Sequence, residues 1–311
     1  MAITLVEAAK QYEDPVQAGI VEHFAKNAPI TSRLPLMDIT GNAYKWNREE
    51  SLPGVGFRGV NEAYTESTGV LNPQVESLVI AGGDLDVDKF IVDTMGQAQR
   101  TTQELMKVKS LALKLEKTLI KGDSSSDPRE FDGLQVRLTG NQIIEAGSTD
   151  GGDALSLLKL DELPDIVEGD NSSKIFIMAP TMLRLLSKAA RTTSVGGTLN
   201  FTTDSFGRRI ASWNDIQIVT TGFDNEASAI LAFDEVGSGG STATATSIYC
   251  LSTEPGVSAL LQNGGIDVRD LGEIDTQPVY RTRVEWYASL ALMHGKSAAR
   301  LRGIKNAAVT A

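Results

Sequence analysis

The chain has 311 residues, 41% of them hydrophobic and 22% charged, with a formal net charge of −11. That apolar content can fill a core, and the acidic balance argues against a nucleic-acid reader that works through a broad basic face. One cysteine, Cys250, excludes an internal disulfide and a cysteine metal cluster.

The first residues lack the basic-then-apolar pattern of a secretory signal, and no apolar run reaches the ~20 residues of a membrane-spanning helix. A reducing cytosol is the expected setting. Thr4 and Glu7 match a capping box ahead of a short helix through about Gln11. Asp14-Pro15 opens a second helix, with Val16, Ile20, Val21 and Phe24 along one side. Together they read as an arm with too little apolar surface for a domain of its own, which must dock on its own body or on another copy.

Residues 42–86 read as a long hairpin. Ala43–Arg48 and Val75–Val79 are strand-like, and the glycine-rich polar stretch between them has too few apolar residues to fold back on a core. From Asp86 to Gly122 the apolar and small residues Val87, Ile91, Met95, Ala98, Leu105, Val108, Ala112, Leu115 and Leu119 are spaced by threes, fours and their sum. This predicts one helix of about 50 Å, weakest at Gly96 and closed by a left-handed cap at Gly122.

A turn region follows, then a mixed domain over residues 131–268. Expected there are a short helix near Leu160–Val167, a buried strand Lys174–Met178, a helix Thr181–Arg191, and a hairpin or loop at Leu199–Phe206. Further strands are expected at Ile216–Val219, Ala229–Phe233 and Ser247–Leu251, with a flexible connection from Gly237. Cys250, inside a strand-like run, reads as a small buried hydrophobe. The last segment predicts a long strand from Val279 to about Met293, a turn at His294-Gly295, and a returning strand through Leu301.

Catalytic and ligand motifs fail on context. Gly54, Gly56 and Gly59 match G-x-G-x-x-G, but no hydrophobic strand precedes them and no helix follows. Gly295-Lys296-Ser297 lacks the upstream glycine of a phosphate loop, since Leu290 stands there. Only His23 and His294 could serve as imidazole bases, and no nucleophile is placed beside either. Asp150, Asp153, Asp161, Glu162 and Asp165 lack the ligand order of a calcium loop and read as a solvated loop. No catalytic residue, cofactor or metal is expected. Arg281, Arg283, Lys296, Arg300, Arg302 and Lys305 oppose one acid, Glu285, and are expected to pair with carboxylates of a neighbouring copy.

The order of arm, hairpin loop, long helix, mixed domain and terminal strands resembles the major capsid proteins of tailed bacteriophages, with the HK97-like fold. The resemblance is carried by LEKTLIKGD (Leu115–Asp123), FDGL (Phe131–Leu134), IMAPTMLRLL (Ile177–Leu186), Phe206–Val219 and Val284–Ile304. It implies an α+β chain: arm 1–41, E-loop hairpin 42–86, P-domain spine helix 87–130, A-domain 131–268, and terminal strands 269–311 returning to the P-domain. It implies a non-enzymatic structural protein of the virion capsid, assembled in the host cytoplasm. Pentamers and hexamers would form an icosahedral shell around double-stranded DNA, held without sequence-specific contact. A separate scaffolding protein is implied, because the arm lies within a few residues of Met1; a portal and a decoration protein are further partners, and no membrane is involved. An acidic wall suits a DNA container, since weak repulsion does not hinder packaging or release. Subunit contacts are expected at Val16, Ile20 and Phe24 of the arm and at Phe57, Arg58, Glu62, Tyr64 and Glu66 of the loop. The alternatives are an encapsulin-like compartment, which shares the fold, and a soluble α/β enzyme.

Overall fold

A computed structural model describes residues 28–191, 199–203 and 209–310. Three sheets and one long helix organise it. The two-stranded sheet is the hairpin of β2 (Ala43–Ser51) and β3 (Val70–Ser77), antiparallel from Ala43↔Ser77 to Ser51↔Val70. Tyr44, Trp46 and Arg48 are half-buried while the alternate positions between them are exposed, the period of two expected of a strand with one face on the body.

Val79–Asp88, read from sequence as part of the hairpin and the start of the helix, is a separate strand, β4. It pairs antiparallel with β14 (Val279–Leu292) along its whole length, from Asp88↔Val279 to Val79↔Ala288. On β14's other flank lie β13 (Asp267–Glu273) and β12 (Ser258–Gln262), and β12 takes β1 (Leu36–Asp38) in parallel. This five-stranded sheet is tied on its exposed face by cross-strand ion pairs. Arg281 donates to both oxygens of Asp86 at 2.6 Å, and Arg283 to Asp84 at 2.6 and 2.9 Å. In the second, eight-stranded sheet, Arg300 reaches Glu235 in a buried pair and Arg302 reaches Glu145. The four terminal arginines therefore pair within their own chain, correcting the expectation of carboxylates from a neighbour: Arg281, Arg283 and Arg302 each lie directly across a ladder from their acids, and Arg300 reaches Glu235 over the intervening β11.

The long helix is shorter than expected and broken. A first piece, α1 (Lys89–Met95), is capped by the Asp88 side chain, which accepts from the Phe90 amide at 2.8 Å. Gly96, at φ 84 and ψ 170, interrupts the helix, and α2 (Gln97–Lys121) follows. Those angles suit glycine alone. The spacing reading survives in the C-terminal half of α2, where Val108, Leu111, Ala112, Leu115 and Leu119 are buried. Burying each leucine contributes about 2 kcal/mol. At the N-terminal half, Arg100 ion-pairs with Asp270 at 2.5 Å and donates to the Thr282 hydroxyl at 2.8 Å, tying α2 to β13 and β14. Gly122 closes α2 at φ −58, not left-handed as expected. Its lack of a side chain serves close approach instead, because a Cβ there would lie 2.3 Å from the Phe131 carbonyl.

The eight-stranded sheet runs β5 (Ile143–Glu145), β15 (Ala298–Lys305), β11 (Ala243–Ser252), β6 (Lys174–Met178), β9 (Ile216–Thr220), β8 (Arg209–Trp213) and β7 (Leu199–Thr203), with β10 (Glu235–Val236) also on β11. Every residue of β6 is buried, and α5 (Pro180–Ala190) follows it. Two short helices, α3 (Leu134–Arg137) and α4 (Leu157–Glu162), come earlier in the chain. The core joins this sheet to α2. Cys250 is buried as expected. Ala229–Phe233 is no strand: Ile230 and Leu231 are buried, but only Ala229 makes a bridge, to Phe223. The expected flexible connection from Gly237 ends early, because its ATAT portion begins β11. β14 and β15 do not pair with each other. The turn between them carries the chain from the five-stranded to the eight-stranded sheet.

Candidate assembly surface

The stretch 52–69 between β2 and β3 is exposed throughout. Phe57 is 110% exposed and Val55 97%. A few expected contact residues gather at its tip. The Arg58 guanidinium lies 5.2 Å over the Tyr64 ring and donates to the Glu62 carbonyl at 3.3 Å. Glu62 Oε2 accepts from the Gly59 amide at 2.8 Å. Phe57 and Glu66 stand apart in solvent. The tip is thus ordered by local polar contacts while its apolar side chains remain uncovered. Val16, Ile20 and Phe24 lie outside the described residues.

Two features escaped the sequence reading. The first is a groove of 460 Å³ between β4 and α2, floored by Leu111, Leu115 and Val284 and edged by Lys107, Lys114 and Arg129. Its acids include Glu130, which pairs with Lys114. The signal was the Gly82-Gly83 pair on β4: a side chain at Gly83 would crowd the Lys107 ammonium, 2.8 Å from its Cβ.

The second is Glu116, 2% exposed on α2. Its Oε1 accepts from the Ile30 amide at 2.8 Å, the Thr31 amide at 2.9 Å and the Thr31 hydroxyl at 3.2 Å, while Oε2 has no partner among the described residues. Burial pushes this carboxyl up to about 7, against the opposing pull of the Thr31 and Ile30 donors and the Arg33 charge. Glu116 therefore clasps the point at which residues 28–34 meet the spine helix. Its position four after Ala112, on the buried stripe, was the available signal.

Three of the five acids expected to form a solvated loop, Asp150, Asp153 and Asp161, accept specific hydrogen bonds. Asp150 accepts from the Thr242 amide and hydroxyl, Asp153 from those of Thr149, and Asp161 from the Trp213 indole at 2.6 Å. The donors hold Asp150 and Asp153 below the usual carboxylate range.

Residues 13–159 match the family described as Major capsid protein GP7. No curated protein matches the chain. Among solved structures, a cyanophage A-1(L) capsid is similar at TM-score 0.62 and 15% identity, covering 89% of this chain and 93% of that one. The holo-SrpI encapsulin complex of Synechococcus elongatus PCC 7942 is similar at TM-score 0.60 and 17% identity, covering 89% and 88%. The capsid of a native GTA particle is similar at TM-score 0.59 and 12% identity, covering 89% and 90%. These likenesses show an HK97-like fold, and the family match over residues 13–159 supports the role of a major capsid protein on it.

Proposed function

We propose that copies of this chain assemble as pentamers and hexamers into an icosahedral shell enclosing double-stranded DNA, built in the host cytoplasm with a separate scaffolding protein and a portal. In that shell, residues 1–41 act as the arm, 42–86 as the E-loop, 87–130 as the spine, 131–268 as the A-domain and 269–311 as the strands returning to the P-domain. The loop tip, through Phe57, Arg58, Glu62, Tyr64 and Glu66, and the arm, through Val16, Ile20 and Phe24, contact neighbouring copies.

The observation that carries this is the exposed stretch 52–69. Its apolar side chains find no cover among the described residues. Covering them on a neighbour gains ~25 cal/mol per Å² of apolar area, less the entropy lost on association. Arginine and aromatic residues, both present at the tip, concentrate binding energy at interfaces.

Arg58→Glu tests the reading. The unassembled subunit keeps its circular dichroism spectrum, while electron micrographs show shell formation impaired. Equally heat-stable shells from the variant would sink the loop contact. An encapsulin-like compartment is the second reading, favoured by the likeness to the Synechococcus elongatus complex. Nuclease-protected DNA inside purified particles decides for the virion, and a co-purifying cargo protein for the compartment.

A further inference from the structure

All three sheets meet at one place. The turn from His294 to Ser297 links β14 to β15, and the root of the β2–β3 hairpin leans on it. A cavity of 160 Å³ lies there, lined by Trp46 and Arg48 of β2, Glu76 of β3, Arg137 of α3, and His294 and Ser297 of the turn.

Its walls are rich in donors. Among the described residues, nothing pairs with the Arg48 guanidinium, which sits over the turn; its nearest nitrogen lies 3.0 Å from where a Cβ on Gly295 would stand. His294 Nδ1 accepts from the Lys296 amide at 3.2 Å, which leaves Nε2 as a donor. The Trp46 indole N–H is buried without a partner. Ser297 is fully buried, and its hydroxyl has no partner either. The two other indoles differ: Trp213 donates to Asp161 at 2.6 Å and Trp286 to Gln262 at 3.2 Å. The one lining acid, Glu76, is engaged through Oε1 by Arg137 and Ser289, each at 2.7 Å. Buried donors normally find acceptors, so two orphans beside an unpaired guanidinium point to an absent acceptor.

We propose that this junction is a binding site for a small oxyanion, a free phosphate or the carboxylate of a second copy. Arg48 and His294 make the first contacts. Trp46 Nε1 and Ser297 Oγ lie beneath the wall and are reached as it adjusts. The volume admits one tetrahedral ion and lies below the range of cofactor pockets. Such an ion ties the hairpin, through Arg48, to the turn that joins the other two sheets, and so fixes the angle at which the hairpin leaves the body.

The test is an ¹⁵N-labelled unassembled subunit titrated with inorganic phosphate at constant ionic strength, with the Trp46 indole resonance assigned by Trp46→Phe. That resonance moves saturably while those of Trp213 and Trp286 stay in place, and Arg48→Gln weakens the apparent affinity at least tenfold. Arg48→Lys restores part of it. A Trp46 resonance that ignores phosphate, or moves equally in Arg48→Gln, overturns the site. If Arg48→Gln disturbs the Trp213 and Trp286 resonances, His294→Gln takes its place. A second arm, equilibrium dialysis with labelled phosphate, rests on shell formation, whereas the subunit titration does not. Phosphate held by both subunits and shells assigns the free ion; held by subunits and excluded from shells, it assigns a carboxylate of a second copy.

Discussion

Replacing Glu116 with glutamine should change how stability depends on pH. Oε1 holds all three donors from Ile30 and Thr31, and glutamine keeps an oxygen in that place. What glutamine lacks is the ability to ionise. The carboxyl is raised from 4.5 to about 7 because it is buried. A group raised in this way lends stability that is fully present below its unfolded value and lost as pH climbs through the folded one. The full shift corresponds to about 3 kcal/mol at 1.36 kcal/mol per unit, and about 2.5 kcal/mol of it falls between pH 5 and pH 8. Urea unfolding of the unassembled subunit at those two pH values should therefore show Glu116→Gln gaining about 2.5 kcal/mol relative to the native chain as pH rises. Every other titrating group cancels in the difference. Parallel pH profiles for the two proteins would refute the buried-carboxylate argument. Glu116→Ala should instead be destabilised at both values, because it strands two buried amides at ~1–3 kcal/mol each.

Deleting residues 1–27 should leave a soluble subunit that assembles poorly; normal shells in electron micrographs would contradict the arm's role. Boiled and denatured shells should run as a single monomer band, since no lysine lies between Ser51 and Gly83, and a ladder resistant to reducing agent would contradict this. Gly96→Ala should cost about 1–3 kcal/mol in denaturant titrations, because alanine resists φ 84 with ψ 170; an unchanged midpoint would show that the break accepts a side chain.

How much the sequence disclosed depended on the range of the cause. The buried stripe of α2 was legible because three- and four-residue spacing is a local property of a helix. The weakness at Gly96 was legible too, but its outcome was not: a helix with one glycine and two helices meeting at a positive φ share one composition. β4 carries Val79, Ala81, Leu85 and Val87 at every second place, yet the glycine pair breaks the alternation and the helical spacing of Val87 and Ile91 competed with it. Ala229–Phe233 shows that an apolar run predicts burial more securely than a ladder. The terminal arginines advertised charge, while their acids, such as Asp86 for Arg281, stand 195 residues away in sequence. At the assembly surface, the exposure of residues 52–69 followed from scarce apolar content and abundant glycine. The Glu116 clasp did not, because its donors come from a segment 85 residues distant.

The same long reach governs the order of folding. Among the described residues β4 borders only β14, which comes near the end of the chain, and β1 borders only β12. Long-range pairing of this kind is slow, because loop closure must precede any reward. During synthesis at roughly 5–20 residues per second, β4 spends on the order of ten seconds or more before β14 is made. Over that interval β1 and β4 present unpaired edges, the template on which strands of other nascent chains can add. On polysomes making many copies at once, that interval is when off-pathway association competes with folding. β4 carries alternating Asp84, Asp86 and Asp88 on its outer face, and like charges there repel a second β4 until the arginines of β14 arrive to neutralise Asp84 and Asp86.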